Sequence, residues 1–215
     1  LKSDGENLST RFITGDKNLL GELTMTGWKF DEADLGVYNT EQLTKLLSVL
    51  SENISMNLTK AGDKAVSLKI SDSNSDVNYM LSDLSVISSP PNLKSIPDFE
   101  VKIKVDKSFM QKFIAGKSAL ADTDNFTVIT DDDGVKVVIG YAEINTNRVT
   151  LPVETESYDK IEHVSFNANL FRDVLVANKE CEGATLEVSS DGLARINFKV
   201  DEYDATYYLV AEQDV

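Results

Sequence analysis

The sequence predicts an α+β protein in which two related domains are built mainly from antiparallel strands with a few helices. Its 215 residues are 41% apolar and 27% charged, the composition of a globular chain long enough to bury a core. Three of the four prolines fall within residues 88–97, a composition that interrupts both helices and sheets. We therefore predict a domain at residues 1–88, a connector at 89–98 and a second domain at 99–215. A long loop inside one domain is the alternative.

The two predicted domains repeat the same order of elements at a spacing of about 128 to 130 residues. Asn39 aligns with Asn167, and each precedes an amphipathic helix that its side chain can cap. The strand-like runs at 68–70 and 78–81 align with those at 198–200 and 206–209. We interpret this spacing as a duplication of a β-α-β-β-β unit, present twice in each domain, with the helices covering one face of the sheets.

The same register predicts a segment before the first residue of this sequence. Residues 3–5 align with the turn at 132–134. In the second half that turn follows a strand at 101–105, a helix from 106 to 121 and a strand at 126–130, which have no counterparts in the first half. We expect the biological product to carry an additional N-terminal strand, helix and most of another strand.

The outer faces of three predicted helices, at 39–52, 106–122 and 167–180, carry the cations of greatest interest. Lys117 falls among apolar positions, so either its helix breaks there or its side chain extends along the apolar surface. The three windows hold six basic and six acidic residues, so the whole net charge of −15 lies outside them. A polyanion can therefore approach only the helices. The alternative is that these charged faces only keep the helices in contact with water. The cations opposite the apolar positions are Lys45, Lys112, Arg172 and Lys179.

Common catalytic and nucleotide-binding motifs are missing from the sequence. The single histidine, His163, and the single cysteine, Cys181, leave few pairings of a nucleophile with a base. No glycine-rich phosphate-binding motif occurs. The run at 131–134, three aspartates and a glycine, lies between two strand-like runs and lacks the later ligands of a calcium loop, so it predicts a hairpin turn. We predict no catalytic residue, no metal site and no cofactor.

Cysteine usage and hydropathy indicate the compartment. A single cysteine excludes an internal disulfide and fits a reducing cytoplasm. The apolar runs are a few residues long, against the roughly 20 that a membrane-spanning helix needs. We predict a cytoplasmic protein without a membrane partner.

In the order of its weak motifs, the chain resembles the DNA sliding clamp of T-even-type bacteriophages, the processivity factor of the DNA polymerase. The resemblance extends over nearly the whole chain and is carried by Val37 and Tyr38 with the helix at 43–50, by residues 91–97, by residues 111–114, and by the hairpin through 134–139. It implies a closed homotrimeric ring of two-domain subunits, with helices lining a central hole and sheets outside.

The resemblance also implies partners and site residues. Duplex DNA would pass through the hole without sequence preference, facing Lys45, Lys112, Lys117, Arg172 and Lys179. A separate ATP-dependent clamp loader would open the ring, in the host-cell cytoplasm if the gene is phage-encoded. Tails of the polymerase and the loader would insert apolar side chains near the connector, at Val86, Ile87, Leu93 and Ile96. Ordinary packing of the connector on the sheets is the alternative for these four residues.

Two other functions compete with the clamp. One is an acidic structural or adaptor protein with a duplicated domain that does not encircle DNA. The other is a hydrolase that works through paired carboxylates, but the 36 acidic residues are spread over turns without an obvious pair. Closure of a ring distinguishes the clamp from the adaptor protein.

Overall fold

The computed structural model describes residues 1–87, 89–93, 95–142, 144 and 146–212. The chain divides into two units, unit 1 with Leu1–Arg11 and Thr24–Ser89, and unit 2 with Phe12–Leu23 and Pro90–Val215. The division at Ser89 and Pro90 lies within the predicted connector. The segment Phe12–Leu23 belongs to unit 2 although it lies early in the chain, and the predicted boundaries placed it in the first domain.

Unit 1 contains a small antiparallel sheet and one α-helix. In chain order its elements, including the two strands whose ends belong to unit 2, are β1 (Lys2–Ser3), β2 (Asn7–Ile13), β3 (Leu19–Thr26), β4 (Ala33–Asp34), α1 (Thr40–Leu47), β5 (Ser55–Ala61), β6 (Lys64–Ser71) and β7 (Asp76–Met80), followed by a 3-10 turn at Leu84–Val86. β1 pairs with β2 and β4, and β6 pairs with β5 and β7. β7 is thus an edge strand of its three-stranded sheet.

The core of unit 1 is formed by alternate residues of β6 and β7. Leu68 and Ile70 on β6 and Val77 and Tyr79 on β7 are buried, as the period of a strand requires. Asn39 caps α1 by accepting a hydrogen bond from the Gln42 N–H. The Tyr79 hydroxyl donates to the Asn39 carbonyl at 3.2 Å, which ties the start of α1 to the sheet.

Unit 2 has two antiparallel sheets and two helices. Its elements are β8 (Val101–Asp106), α2 (Lys107–Ala119), β9 (Asn125–Asp131), β10 (Gly134–Ile139), β11 (Val149–Pro152), β12 (Thr155–Tyr158), β13 (Val164–Asn167), α3 (Ala168–Ala177), β14 (Gly183–Val188), β15 (Leu193–Val200) and β16 (Tyr203–Val210). The strands β12-β8-β14-β15-β16-β3 are consecutive neighbours in one sheet of nine strands, and the other sheet has the order β11-β10-β9-β13. β11 is therefore an edge strand of the second sheet.

Aromatic side chains fill the core of unit 2 between its helices and sheets. Phe113 of α2, Phe126 of β9 and Phe171 of α3 are fully buried. The ring centroids of Phe113 and Phe171 are 4.9 Å apart, and those of Phe126 and Phe171 are also 4.9 Å apart. The Phe113 ring also lies 5.3 Å from that of Phe126. Because both helices contact this strand residue, α2 and α3 lie on the same side of that sheet.

Several predictions about the fold are confirmed. Antiparallel sheets dominate, and α1 with β5–β7 repeats the order of α3 with β14–β16. Asn167 caps α3 as Asn39 caps α1, accepting from the N–H groups of Asn169 and Leu170. The run at 131–134 is a hairpin turn in which Gly134, with φ +124°, lies opposite Asp131.

The predicted helices were too long at their C-termini. α1 ends at Leu47, where the N–H groups of Val49 and Leu50 bond three residues back in place of four. α3 ends at Ala177, and the Asn178 side-chain amide donates to the Val174 carbonyl at 2.8 Å. At α1 these bonds satisfy the Leu46 and Leu47 carbonyls, which a longer helix would have paired with later N–H groups. At α3 the Asn178 amide is a second donor to the Val174 carbonyl, which also accepts from the Asn178 N–H at 3.2 Å.

Candidate nucleic-acid interface

The outer faces of α2 and α3 form the candidate interface of unit 2. On α2, Phe109, Met110 and Phe113 point into the core, while the opposite residues are exposed. On α3 the core residues are Phe171, Val174 and Leu175. The exposed side chains are small, polar or basic, apart from Asp173 and the apolar Val176: Lys107, Ser108, Gln111, Lys112, Ala115, Ser118 and Ala119 on α2, and Asp173, Val176 and Ala177 on α3.

Lys112 is the available cation of α2. Its side chain is exposed and forms no ion pair in the part of the chain that the structure describes. Lys107, five residues earlier, is instead paired with Glu182, with 2.6 Å between Nζ and Oε1. The hydrogen bond to Glu182 raises the pKa of Lys107. The sequence prediction placed Lys112, and not Lys107, among the outward-facing cations, but it did not predict this ion pair, because Glu182 is distant in the chain.

Arg172 on α3 is half-buried and partly neutralised. Its Nη2 and Nε lie 2.8 and 3.1 Å from Oδ1 of Asp173. Surface pairs of this kind contribute about 0–1 kcal/mol and are screened by salt. A phosphate can therefore take the place of Asp173 at little cost.

Lys45 on α1, in unit 1, is also paired with a carboxylate of its own helix. Its Nζ lies 2.5 Å from Glu41 Oε1, one helical turn earlier, and both side chains are about three-quarters exposed, at 74% and 76%. Such a pair stabilises a helix by about 0.3–0.5 kcal/mol. The ammonium group remains accessible, with its charge compensated locally.

Lys179 lies outside the helix in which it was predicted. Because α3 ends at Ala177, Lys179 is in the following turn, not aligned on a helical face with Arg172. Its side chain is exposed and, among the described residues, has no ion pair. The helical alignment was wrong, and the accessibility of the cation was correct.

Lys117 is a correction to the DNA-facing set. Its side chain is 2% exposed, and its Nζ donates to the Ala121 carbonyl at 2.9 Å and to the Leu120 carbonyl at 3.4 Å. The ammonium group thus satisfies carbonyls just beyond the C-terminus of α2, where a helix favours positive charge. α2 continues through residue 117, so the side chain turns inward, and it cannot contact DNA.

The four predicted partner-binding residues differ in exposure. Val86, Leu93 and Ile96 are exposed by 59%, 38% and 43%, whereas Ile87 is half-buried. Val86 belongs to the 3-10 turn of unit 1, which Asp83 caps by accepting from the Ser85 N–H at 2.9 Å. The Ser85 hydrogen bonds, with Lys64 nearby, lower the pKa of Asp83 to about 2. The exposed apolar side chains are accessible to a partner.

The residues singled out for chemistry have structural surroundings. Cys181 is buried and its thiol donates to the Gly183 carbonyl at 3.1 Å. The exposed His163 ring lies 5.3 Å from the ring of Tyr141. No group of three or more His, Cys, Asp or Glu residues in the described ranges could hold a metal ion. None of the described helices is long and apolar enough to cross a membrane.

The sequence matches no protein-family model and no curated protein. Among solved structures, the chain is similar to the proliferating cellular nuclear antigen of Entamoeba histolytica, with a TM-score of 0.71 and 20% sequence identity. The similarity covers 99% of this chain and 91% of that chain. This protein therefore has the sliding-clamp fold, as the order of its motifs predicted.

Proposed function

We propose that the chain is the subunit of a sliding clamp that encircles duplex DNA and tethers a replicative DNA polymerase. The observation that carries this proposal is the exposed surface of α2 and α3, which lie on the same side of a sheet within a sliding-clamp fold. That surface presents Lys112 and Arg172, with Lys179 in the turn after α3. Among sliding clamps, the motifs quoted above favour the T-even phage type.

The cations suit loose contact with DNA. Lys112 and Lys179 are unpaired among the described residues, whereas Lys45 and Arg172 each have a carboxylate partner. A few spaced cations contact phosphates without reading base edges. With a net charge of −15, such a subunit binds free DNA weakly. Retention on DNA is then topological, and the protein slides.

Ring closure is proposed to use the free edges of β7 and β11. In antiparallel pairs the hydrogen-bonded positions alternate. The Leu81 N–H bonds to Val66 and the Val153 N–H to Val135, so the backbone groups of Asn78, Met80 and Thr150 point away from their own sheets. Head-to-tail pairing of two different edges closes a ring, here of three subunits.

In this proposal the chain performs no chemistry. A separate clamp loader supplies the energy for ring opening, and the polymerase and the loader bind the clamp through apolar side chains. Val86, Leu93 and Ile96 are their proposed contacts, and the half-buried Ile87 supports that surface. The protein acts as a moving scaffold.

Retention on circular and linear DNA tests the proposal. After loading by its own loader, the clamp is expected to remain on nicked circular DNA and to leave within the assay once the same DNA is linearised, because only the ends release a closed ring. Equal retention on both forms would falsify the sliding-clamp mechanism. Tight binding to a short linear duplex at physiological salt would indicate a conventional DNA-binding protein instead.

An acidic adaptor protein is the second candidate. The ion pairs of Lys45 with Glu41 and of Arg172 with Asp173 favour it, because they compensate half of the proposed DNA-facing charges. An adaptor would sediment as a monomer or an open assembly. It would show no dependence on DNA ends.

A further inference from the structure

Unit 1 contains a pocket directly beyond the end of β7. It has a volume of about 440 Å³, and Ala65, Val66 and Leu81 contribute to its apolar wall. Pockets of this size accommodate a long side chain or a small ligand. No residue of the predicted site lines it, and the sequence carries no local signal of it.

The rim of this pocket has unbalanced negative charge. Its two lysines are already paired, Lys64 with Asp83 at 3.2 Å and Lys60 with Asp31 at 3.7 Å. Glu32 and Asp63 also line the pocket, are exposed, and form no ion pair within the described ranges. The pocket therefore suits a side chain with an apolar stem and a cationic end.

Unit 2 presents such a side chain immediately before β11. Arg148 is exposed and has no ion pair in the described part of the chain. Two residues earlier, the Thr146 hydroxyl donates to the Gly140 carbonyl at 3.0 Å. Arg148 is thus a free guanidinium next to a free strand edge.

The backbone alternation of the two edge strands brings these features together in the proposed ring. The strand pairs of both units are antiparallel, and we take the same direction for β7 against β11 of the next subunit. If Asn78 lies opposite Thr150, Met80 lies opposite Arg148. The next outward-facing N–H, that of Ser82, already bonds to the Gly36 carbonyl at 2.8 Å, so this pairing would end at Met80. In this register Arg148 lies next to residues 80–82, where the pocket begins.

We propose that this pocket receives Arg148 of a second copy of the chain, whose guanidinium pairs with Glu32 and Asp63. The aliphatic stem of the arginine covers the apolar wall while its planar end meets the carboxylates. The inference rests on the ring proposed above. It adds the charged contact that selects which edges join.

Charge exchange across the contact tests this inference. Sedimentation at low ionic strength gives the dissociation constant of the trimer for full-length variants. Arg148→Glu is expected to raise that constant by about tenfold, and adding Asp63→Arg or Glu32→Arg is expected to recover most of the loss. Lys199→Glu is the matched control, because Lys199 is exposed and has no ion pair among the described residues, and the variant changes the net charge equally.

The outcomes separate the contact from the ring itself. If the wild-type protein is a monomer at all concentrations, both the ring and this contact are wrong. If the wild type is a trimer and Arg148→Glu weakens it no more than Lys199→Glu does, the ring stands and the contact is overturned. Failure of both compensating variants to restore an Arg148→Glu trimer would also overturn the pairing.

Discussion

At the scale of single residues, the ammonium group of Lys117 stabilises the end of α2. Its side chain is 2% exposed, and its hydrogen bonds reach the Leu120 and Ala121 carbonyls. The Leu120 carbonyl also accepts from the Thr123 N–H at 3.1 Å, so the ammonium group adds a second, charged donor there and supplies a donor to Ala121. The same residue type at position 112, on the outer face, has no such partner.

Replacement of Lys117 by methionine is expected to lower the free energy of unfolding by about 1–3 kcal/mol, because the hydrogen bonds from a charged donor to the Leu120 and Ala121 carbonyls are lost while the apolar volume is kept. The midpoint of urea unfolding measures the change. Gln111→Met, on the exposed face of the same helix, is the control and should change stability by less than about 0.5 kcal/mol. Equal midpoints for the two variants would show that the ammonium group does not cap the helix.

At the scale of elements, α1 and α3 occupy equivalent places in the repeat but are buried to different extents. Phe171, Val174 and Leu175 of α3 are buried, whereas Leu47 of α1, the equivalent of Leu175, is 37% exposed. α2 packs beside α3, and the described part of unit 1 has no counterpart of α2. Amphipathic periodicity predicts both helices equally and does not predict this difference.

The outer faces of α2 and α3 are expected to contribute to processivity through their unpaired cations. The double variant Lys112→Glu with Lys179→Glu should shorten loader-dependent synthesis on primed DNA by about tenfold while the trimer stays intact, because it turns attraction for phosphates into repulsion. Lys29→Glu with Lys199→Glu is the matched control, since these exposed lysines lie outside the helices and the charge change is the same. Equal products from the two doubles would remove Lys112 and Lys179 from the DNA-facing set.

At the scale of the whole molecule, the proposed ring would form against the repulsion between subunits that each carry a net charge of −15. Thr150→Pro removes one outward-facing N–H from β11 and leaves the hydrogen bonds to β10 intact. β11 already carries a proline, Pro152, at the next position whose backbone nitrogen faces away from β10.

Thr150→Pro is therefore expected to raise the dissociation constant of the trimer by about tenfold or more without unfolding unit 2, as measured by sedimentation together with circular dichroism. Thr150→Val, which keeps the N–H, should leave the constant within about twofold of the wild type. If Thr150→Pro has the same trimer dissociation constant as the wild type, the subunit contact lies elsewhere.

The sequence by itself determined the features that depend on neighbouring residues. The alternation of Val101, Ile103 and Val105 predicts a strand, the caps at Asn39 and Asn167 predict where two helices begin, and the aspartates before Gly134 predict a turn. The spacing of these signals predicted the duplication, and the resemblance to the clamp of T-even-type bacteriophages implied the sliding-clamp fold. Helix caps, turns and amphipathic periods depend on residues that are close in the sequence, so these features could be predicted from short stretches of it.

Only the tertiary structure decided the features that depend on distant partners. It turned Lys117 inward, paired Lys107 with Glu182, assigned Phe12–Leu23 to unit 2 and made β7 and β11 edge strands. It also ended α3 before Lys179. Each outcome depends on which surfaces meet after folding, because the direction of a long side chain and the pairing of a charge are selected by packing and not by sequence neighbours.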